Sequence, residues 1–154
     1  MKDEAFPEPS GGFRAFLRYR LGAIVWSALL LLLSTAMMSA HNTGRGLEDL
    51  LLRLLGHEPS IMTVAVANTI VRKFSHVVAY GIEGALMLRA ARSGRRGHEM
   101  RWIVAALLWT LLIASLDEFN QSFSIWRSGS PEDVVLDMTG AGLAVIYFRR
   151  RDSA

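Results

Sequence analysis

The chain has 154 residues, 51% of them hydrophobic, and a formal net charge of +3. That length fits one domain, and the hydrophobic share is high for a soluble one. The absence of cysteine excludes disulfides, iron–sulfur clusters and Cys-based zinc sites. Residues 1–12 are polar and carry Pro7, Pro9, Gly11 and Gly12, a pattern that reads as a mobile tail. Arg14, Arg18 and Arg20 then flank an apolar run. Gly22 to Ala40 holds no charge and includes the leucines from Leu29 to Leu33. About 20 apolar residues cross a hydrocarbon core roughly 30 Å thick. The run is longer than a signal-peptide core, so it is predicted as an uncleaved first transmembrane helix, Leu21 to Ala40.

His41 to Gly46 reads as a turn-rich loop. Gly46 to Leu55 sets leucines against Glu48, Asp49 and Arg53 and is too short to span, which predicts a short interfacial helix. A packed loop helix is the alternative. Ser60 can cap the next helix, which runs from Ile61 or Met62 to about Ala91. On it, Lys73, His76, Tyr80 and Glu83 recur at helical spacing and share one face. A polar stripe on an apolar helix faces the bundle interior.

Arg89, Arg92, Arg95, Arg96 and Arg101 mark a basic loop. Trp102 to Leu116 is the third predicted span, with Trp102 at its boundary as interfacial anchors are. It ends in Asp117, Glu118 and Gln121, followed by a loop with Arg127. Pro131 opens the fourth span, to Phe148, with Ser130 as its cap and Asp133 at the positive end of its dipole. Gly140, Ala141 and Ala144 allow a neighbouring helix to approach closely. Arg149, Arg150 and Arg151 follow.

Lys and Arg concentrate on cytoplasmic flanks. The three most basic segments fall on one side of a four-span chain. The expected fold is therefore all-α, a polytopic membrane helical bundle of four transmembrane helices, N-in and C-in, plus the interfacial helix. Residues 1–20 form a cytoplasmic basic tail, 21–149 the transmembrane domain and 150–154 a cytoplasmic tail. Loops 41–60 and 119–130 then face outward. No basic face interleaved with aromatics appears, so nucleic acid is not an expected partner; the lipid bilayer is.

This topology brings three distant segments to one depth. His76, Asp117 and Glu118 are the candidate catalytic residues, with an imidazole suited to proton transfer beside carboxylates. Lys73, Tyr80, Gln121, Arg127, Asp133 and Asp137 are candidate ligand-binding residues. Arg127 can clamp a phosphate or carboxylate in a bidentate fork, or salt-bridge Asp133 or Glu132 to fix its loop. Lys73 can form an anion site with the cluster or an ion pair with Asp117 and Glu118. His76 can act as a base or simply bond to Asp117 or Asp137. The carboxylates and one histidine can hold a hard cation such as Mg²⁺ or Ca²⁺. Zinc wants more nitrogen or sulfur ligands, and His41, His57 and His98 show no ligand spacing with His76. With Lys73 and Arg127 nearby, no metal and no cofactor is assigned. Walker, GxSxG, HExxH and CxxC signatures are absent.

Two stretches carry a resemblance. Val71 to Tyr80, VRKFSHVVAY, is similar to the pattern RK-x-x-H-x-x-x-Y of the VanZ-like family of bacterial membrane proteins. Asp117 to Gly142 supplies DEF-x-Q, RSGS and DV-x-x-D-x-x-G in the family's order. Ala79 stands where many relatives have glutamate, Asn120 where many have histidine, and Ile125-Trp126 where Pro-Gly is common. Glu83, one turn beyond Ala79, can replace its charge. The resemblance implies a small helical domain in the bacterial cytoplasmic (inner) membrane and a link to resistance to the lipoglycopeptide teicoplanin. The expected function is an outward-facing pocket that binds or alters an anionic or lipid-linked envelope component. The alternatives are a membrane enzyme using acid–base chemistry on such a substrate, and a structural bundle with no ligand.

Overall fold

The computed structural model describes residues 12–34, 40–95, 99–123 and 130–151, and these are helical apart from short connections. Helix α1, Phe13–Phe16, passes through a π-helical stretch, Leu17–Leu21, into α2, Gly22–Ser34. Helices α3, Ala40–Leu55, α4, Ile61–Arg92, α5, Met100–Ser122, and α6, Pro131–Arg151, follow. Among the described residues there is no strand.

Among the described residues, two segments are long and apolar enough to cross a membrane, Phe13–Ser34 and Met100–Ser122. Only 11% and 44% of their most apolar windows are buried. The core helix of a soluble protein would be mostly buried, so the apolar surface here is displayed outward. Leu108 and Leu112 on α5, and Leu143 and Ile146 on α6, are exposed, while Glu83, Asp117 and Asp137 are buried. Apolar outside and polar inside is the pattern expected of a bundle in lipid. Helices α4 and α6 have the length, 32 and 21 residues, but are interrupted by charge.

Local chemistry explains the helix ends, including those that differ from expectation. The Ser60 side chain accepts from the Thr63 N–H at 3.1 Å, the cap read from sequence. At the other end of α4, Ser93 adopts a left-handed φ of 48° and its N–H returns to Arg89 and Ala90 carbonyls. Helix α5 does not stop at Leu116 but continues to Ser122. No glycine or proline interrupts Asp117 to Ser122, and Asp117 is tied to Tyr80 on α4. The first helix starts at Phe13 rather than Leu21, because Arg14, Arg18 and Arg20 are good helix formers. Helix α3 begins at Ala40, so the turn expected over His41 to Gly46 is helical; glycine costs about 1 kcal/mol there but does not forbid a helix.

Helix α6 packs most extensively on α4. The contact is close because small residues face each other. A Cβ on Gly140 would collide with the Val77 carbonyl, and one on Gly84 would sit 2.9 Å from the Ala141 Cα. Below the crossing, Leu88, Trp102, Ile103, Ala106 and Val145 form one apolar core. Trp102 is thus a core residue, 6% exposed, and not the interfacial anchor expected. It plugs the junction of α4, α5 and α6, where its bulk fills space that small residues leave. Tyr80, Ile113 and Ala114 form a second core nearer the other end.

Candidate functional site

The polar residues gather where α5 ends and α6 begins. Asp117, Glu118 and Gln121 lie on one α5 face, and the i, i+3 and i, i+4 spacing points them inward together. Asp133 and Asp137 follow one another on the inner face of α6, and His76 and Tyr80 face them from α4.

Each carboxylate of the cluster is held by one oxygen. The Tyr80 hydroxyl donates to Asp117 Oδ2 at 2.8 Å. The Ser130 N–H donates to Glu118 Oε2 at 2.9 Å. His76 Nδ1 lies 3.0 Å from Asp137 Oδ1. The His76 ring stacks over Tyr80, with centroids 6.1 Å apart. The second oxygens, Asp117 Oδ1, Glu118 Oε1 and Asp137 Oδ2, are buried and have no hydrogen-bond partner among the described residues. Gln121 Nε2 is likewise buried and unpartnered. Asp137 is 0%, Asp117 4% and Glu118 6% exposed. Buried charge without compensation costs several kcal/mol, roughly, per ion. The cluster is therefore expensive as scaffolding and suited to receiving positive charge or protons.

A second polar pair lies deeper. Glu83 is fully buried on α4, and its Oε1 accepts from Ser27 Oγ at 2.7 Å. Trp109 Nε1 donates to the same serine at 3.2 Å. Ser34, two turns along from Ser27, donates to the Asp117 carbonyl at 3.1 Å. These contacts tie α2 to the bundle. Replacing Ser27 by alanine leaves a buried carboxylate bare and should lower stability by about 1–3 kcal/mol. Thermal unfolding in detergent checks this. Combined with Glu83→Gln, the loss should be less than additive.

Over residues 18–151 the chain matches the family described as VanZ/LLP1. The chain belongs to the VanZ/LLP1 family. The match covers nearly the whole chain, well beyond the two motifs that carry the resemblance in the sequence. No curated protein and no solved structure matches at a significant level.

Within this VanZ/LLP1 chain, the candidate residues separate. His76, Tyr80, Asp117, Glu118, Gln121 and Asp137 come together at the α5–α6 junction. Asp133 is buried beside them but turns to Arg72, whose Nη2 lies 3.5 Å from Asp133 Oδ2. Lys73 is exposed and, among the described residues, forms no ion pair with Asp117 or Glu118. Among the described residues, its neighbour Arg72 is the cation that reaches the site. Arg72 is one full turn before His76, so it sits closer to the histidine's face than Lys73 does. Arg127 lies outside the described residues. Glu83 is on the same α4 face but belongs to the deeper pair with Ser27.

Sequence reasoning missed Arg72, Ser27 and Ser34. The two serines did leave a signal. They are the sole hydroxyls in the uncharged run from Gly22 to Ser34, and they stand seven residues apart on one helical face.

Proposed function

We propose that this VanZ/LLP1 chain is a four-span protein of the bacterial cytoplasmic membrane, N-in and C-in. Its carboxylate cluster opens outward and binds or alters an anionic or lipid-linked envelope component. That action shifts the response of the cell to lipoglycopeptides of the teicoplanin type. The observation that carries the reading is the set of three buried carboxylates, each with one bare oxygen, gathered at one end of the bundle. The arginines support the orientation. Arg89 donates to the Arg18 carbonyl at 3.1 Å, and Arg20 to Ser93 at 3.4 Å, so the basic segments meet at the opposite end.

Teicoplanin susceptibility of cells expressing wild type, Asp117→Asn or an empty vector, at matched membrane levels, tests this. Wild type should differ from empty vector, and Asp117→Asn should behave as the vector. A properly inserted Asp117→Asn protein that matches wild type removes the site from the function.

The His76–Asp137 pair favours a second reading, a membrane enzyme. A buried carboxylate holding an imidazole at 3.0 Å fixes its orientation, as a positioned acid–base group needs. The side chain of His76 is 16% exposed, which leaves it reachable. Purified protein incubated with membrane lipid extracts separates the two readings. Product that disappears with His76→Ala identifies an enzyme; binding without turnover identifies a receptor.

A further inference from the structure

We infer that His76, Asp117, Glu118 and Asp137 form a binding site for one divalent cation, with Mn²⁺ the ion best matched to the set. Each of the four offers one ligand atom, and these atoms all lie within 4.8 Å of one another. Metal–ligand bonds of about 2.0–2.4 Å place opposite ligands roughly 4–4.8 Å apart, so one ion can reach all four. The donor set is three carboxylates and one imidazole. Carboxylates suit Mg²⁺, Ca²⁺ and Mn²⁺, and imidazole favours transition metals, which makes Mn²⁺ the common choice.

The unpartnered atoms point independently to a ligand. Three side chains more than nine-tenths buried each present an oxygen with no partner among the described residues. Native folds leave only a few such atoms, usually scattered, so three gathered at one point call for a ligand. The other oxygens of Asp117 and Glu118 are fixed by Tyr80 and Ser130, which are not among the four. Outer partners of this kind orient metal ligands. The positive charge expected from Lys73 is not there, since that side chain is exposed, and Arg72 is engaged by Asp133, which is not one of the four.

The inference rests on the reading of this cluster as an outward pocket for an anionic envelope component, and it removes a difficulty in that reading. Three carboxylates alone would repel an anion. A bound divalent cation supplies the attraction, and the partly exposed His76 side marks where a further ligand can approach.

The test is a Mn²⁺ titration of the full chain in nanodiscs, followed by the loss of the free-ion electron paramagnetic resonance signal. Saturation at one Mn²⁺ per chain is expected. Asp137→Asn and Glu118→Gln should each weaken binding by about tenfold or more, as should Tyr80→Phe, which frees Asp117. Glu99→Gln, an exposed carboxylate at the opposite end of α5, should leave binding unchanged. Matching elution profiles and melting curves show that each variant is folded. Failure of the wild type to bind Mn²⁺, or equal binding by Asp137→Asn and Glu118→Gln, overturns the inference. If Mn²⁺ does not bind but Asp117→Asn still abolishes the teicoplanin response, the cation is wrong and the envelope reading stands.

Discussion

Gly140→Leu should prevent the bundle from assembling. Among the described helices the α4–α6 contact is the most extensive, and within it the Val77 carbonyl occupies the space a Cβ on Gly140 would need. The obstructing atom is backbone, so no rotamer change relieves the clash. The helices must separate, and Gly84 against Ala141 and Gly81 against Gly140 would lose their approach as well. Overpacking of this kind costs on the order of 3 kcal/mol or more. Separation would also pull His76 on α4 from Asp137 on α6, so the site would go with the fold. Fluorescence-detected size exclusion and thermal unfolding should show aggregation or a large fall in melting temperature. Gly142→Leu is the control, because a Cβ at Gly142 meets nothing within 4 Å.

Asp137→Asn should separate function from stability. In a scaffold, breaking a buried charge pair is strongly destabilising, by about 3–5 kcal/mol. Here Asp137 shares its surroundings with Asp117 and Glu118, and one of its oxygens has no partner among the described residues. Removing one of three clustered negative charges relieves repulsion, and the asparagine oxygen can still accept from His76. The variant should therefore melt at the wild-type temperature or above it in metal-free buffer. The same variant should lose the teicoplanin response. Stability kept or gained while activity is lost is the mark of a site held at a cost to the fold. A fall in melting temperature with the response intact would identify Asp137 as scaffolding.

Much of the site was legible in the sequence because helical spacing is a strong geometric constraint. His76 and Tyr80, four residues apart, had to share a face, and Asp117, Glu118 and Gln121 had to form a patch. Polar residues beside an apolar run had to turn inward. Gly140 announced a close helix contact, although its partners Gly81 and Gly84 passed unremarked. Spacing could not choose between Arg72 and Lys73, which are adjacent and flank the same stripe. That choice depends on where Asp133 stands on α6, a tertiary fact. The drop in hydropathy at Asp117 predicts a helix end there, whereas α5 runs on to Ser122. Hydropathy marks where lipid contact changes, not where the backbone stops being helical. Trp102 differs from its expected place for a related reason, since position near a helix end does not say which way an indole points.

The proposed function requires the cluster to open to the outside of the cytoplasmic membrane. The absence of cysteine makes a direct measurement simple. Ser122 is exposed at the end of α5 beside the cluster, and Arg95 is exposed at the opposite, arginine-rich end. Ser122→Cys and Arg95→Cys, made singly, can be treated in intact cells with a membrane-impermeant maleimide. Labelling of Ser122→Cys in intact cells, with Arg95→Cys labelled only after permeabilisation, is the result expected. Labelling of Arg95→Cys in intact cells, with Ser122→Cys protected, would place the cluster on the cytoplasmic side and contradict the proposed function.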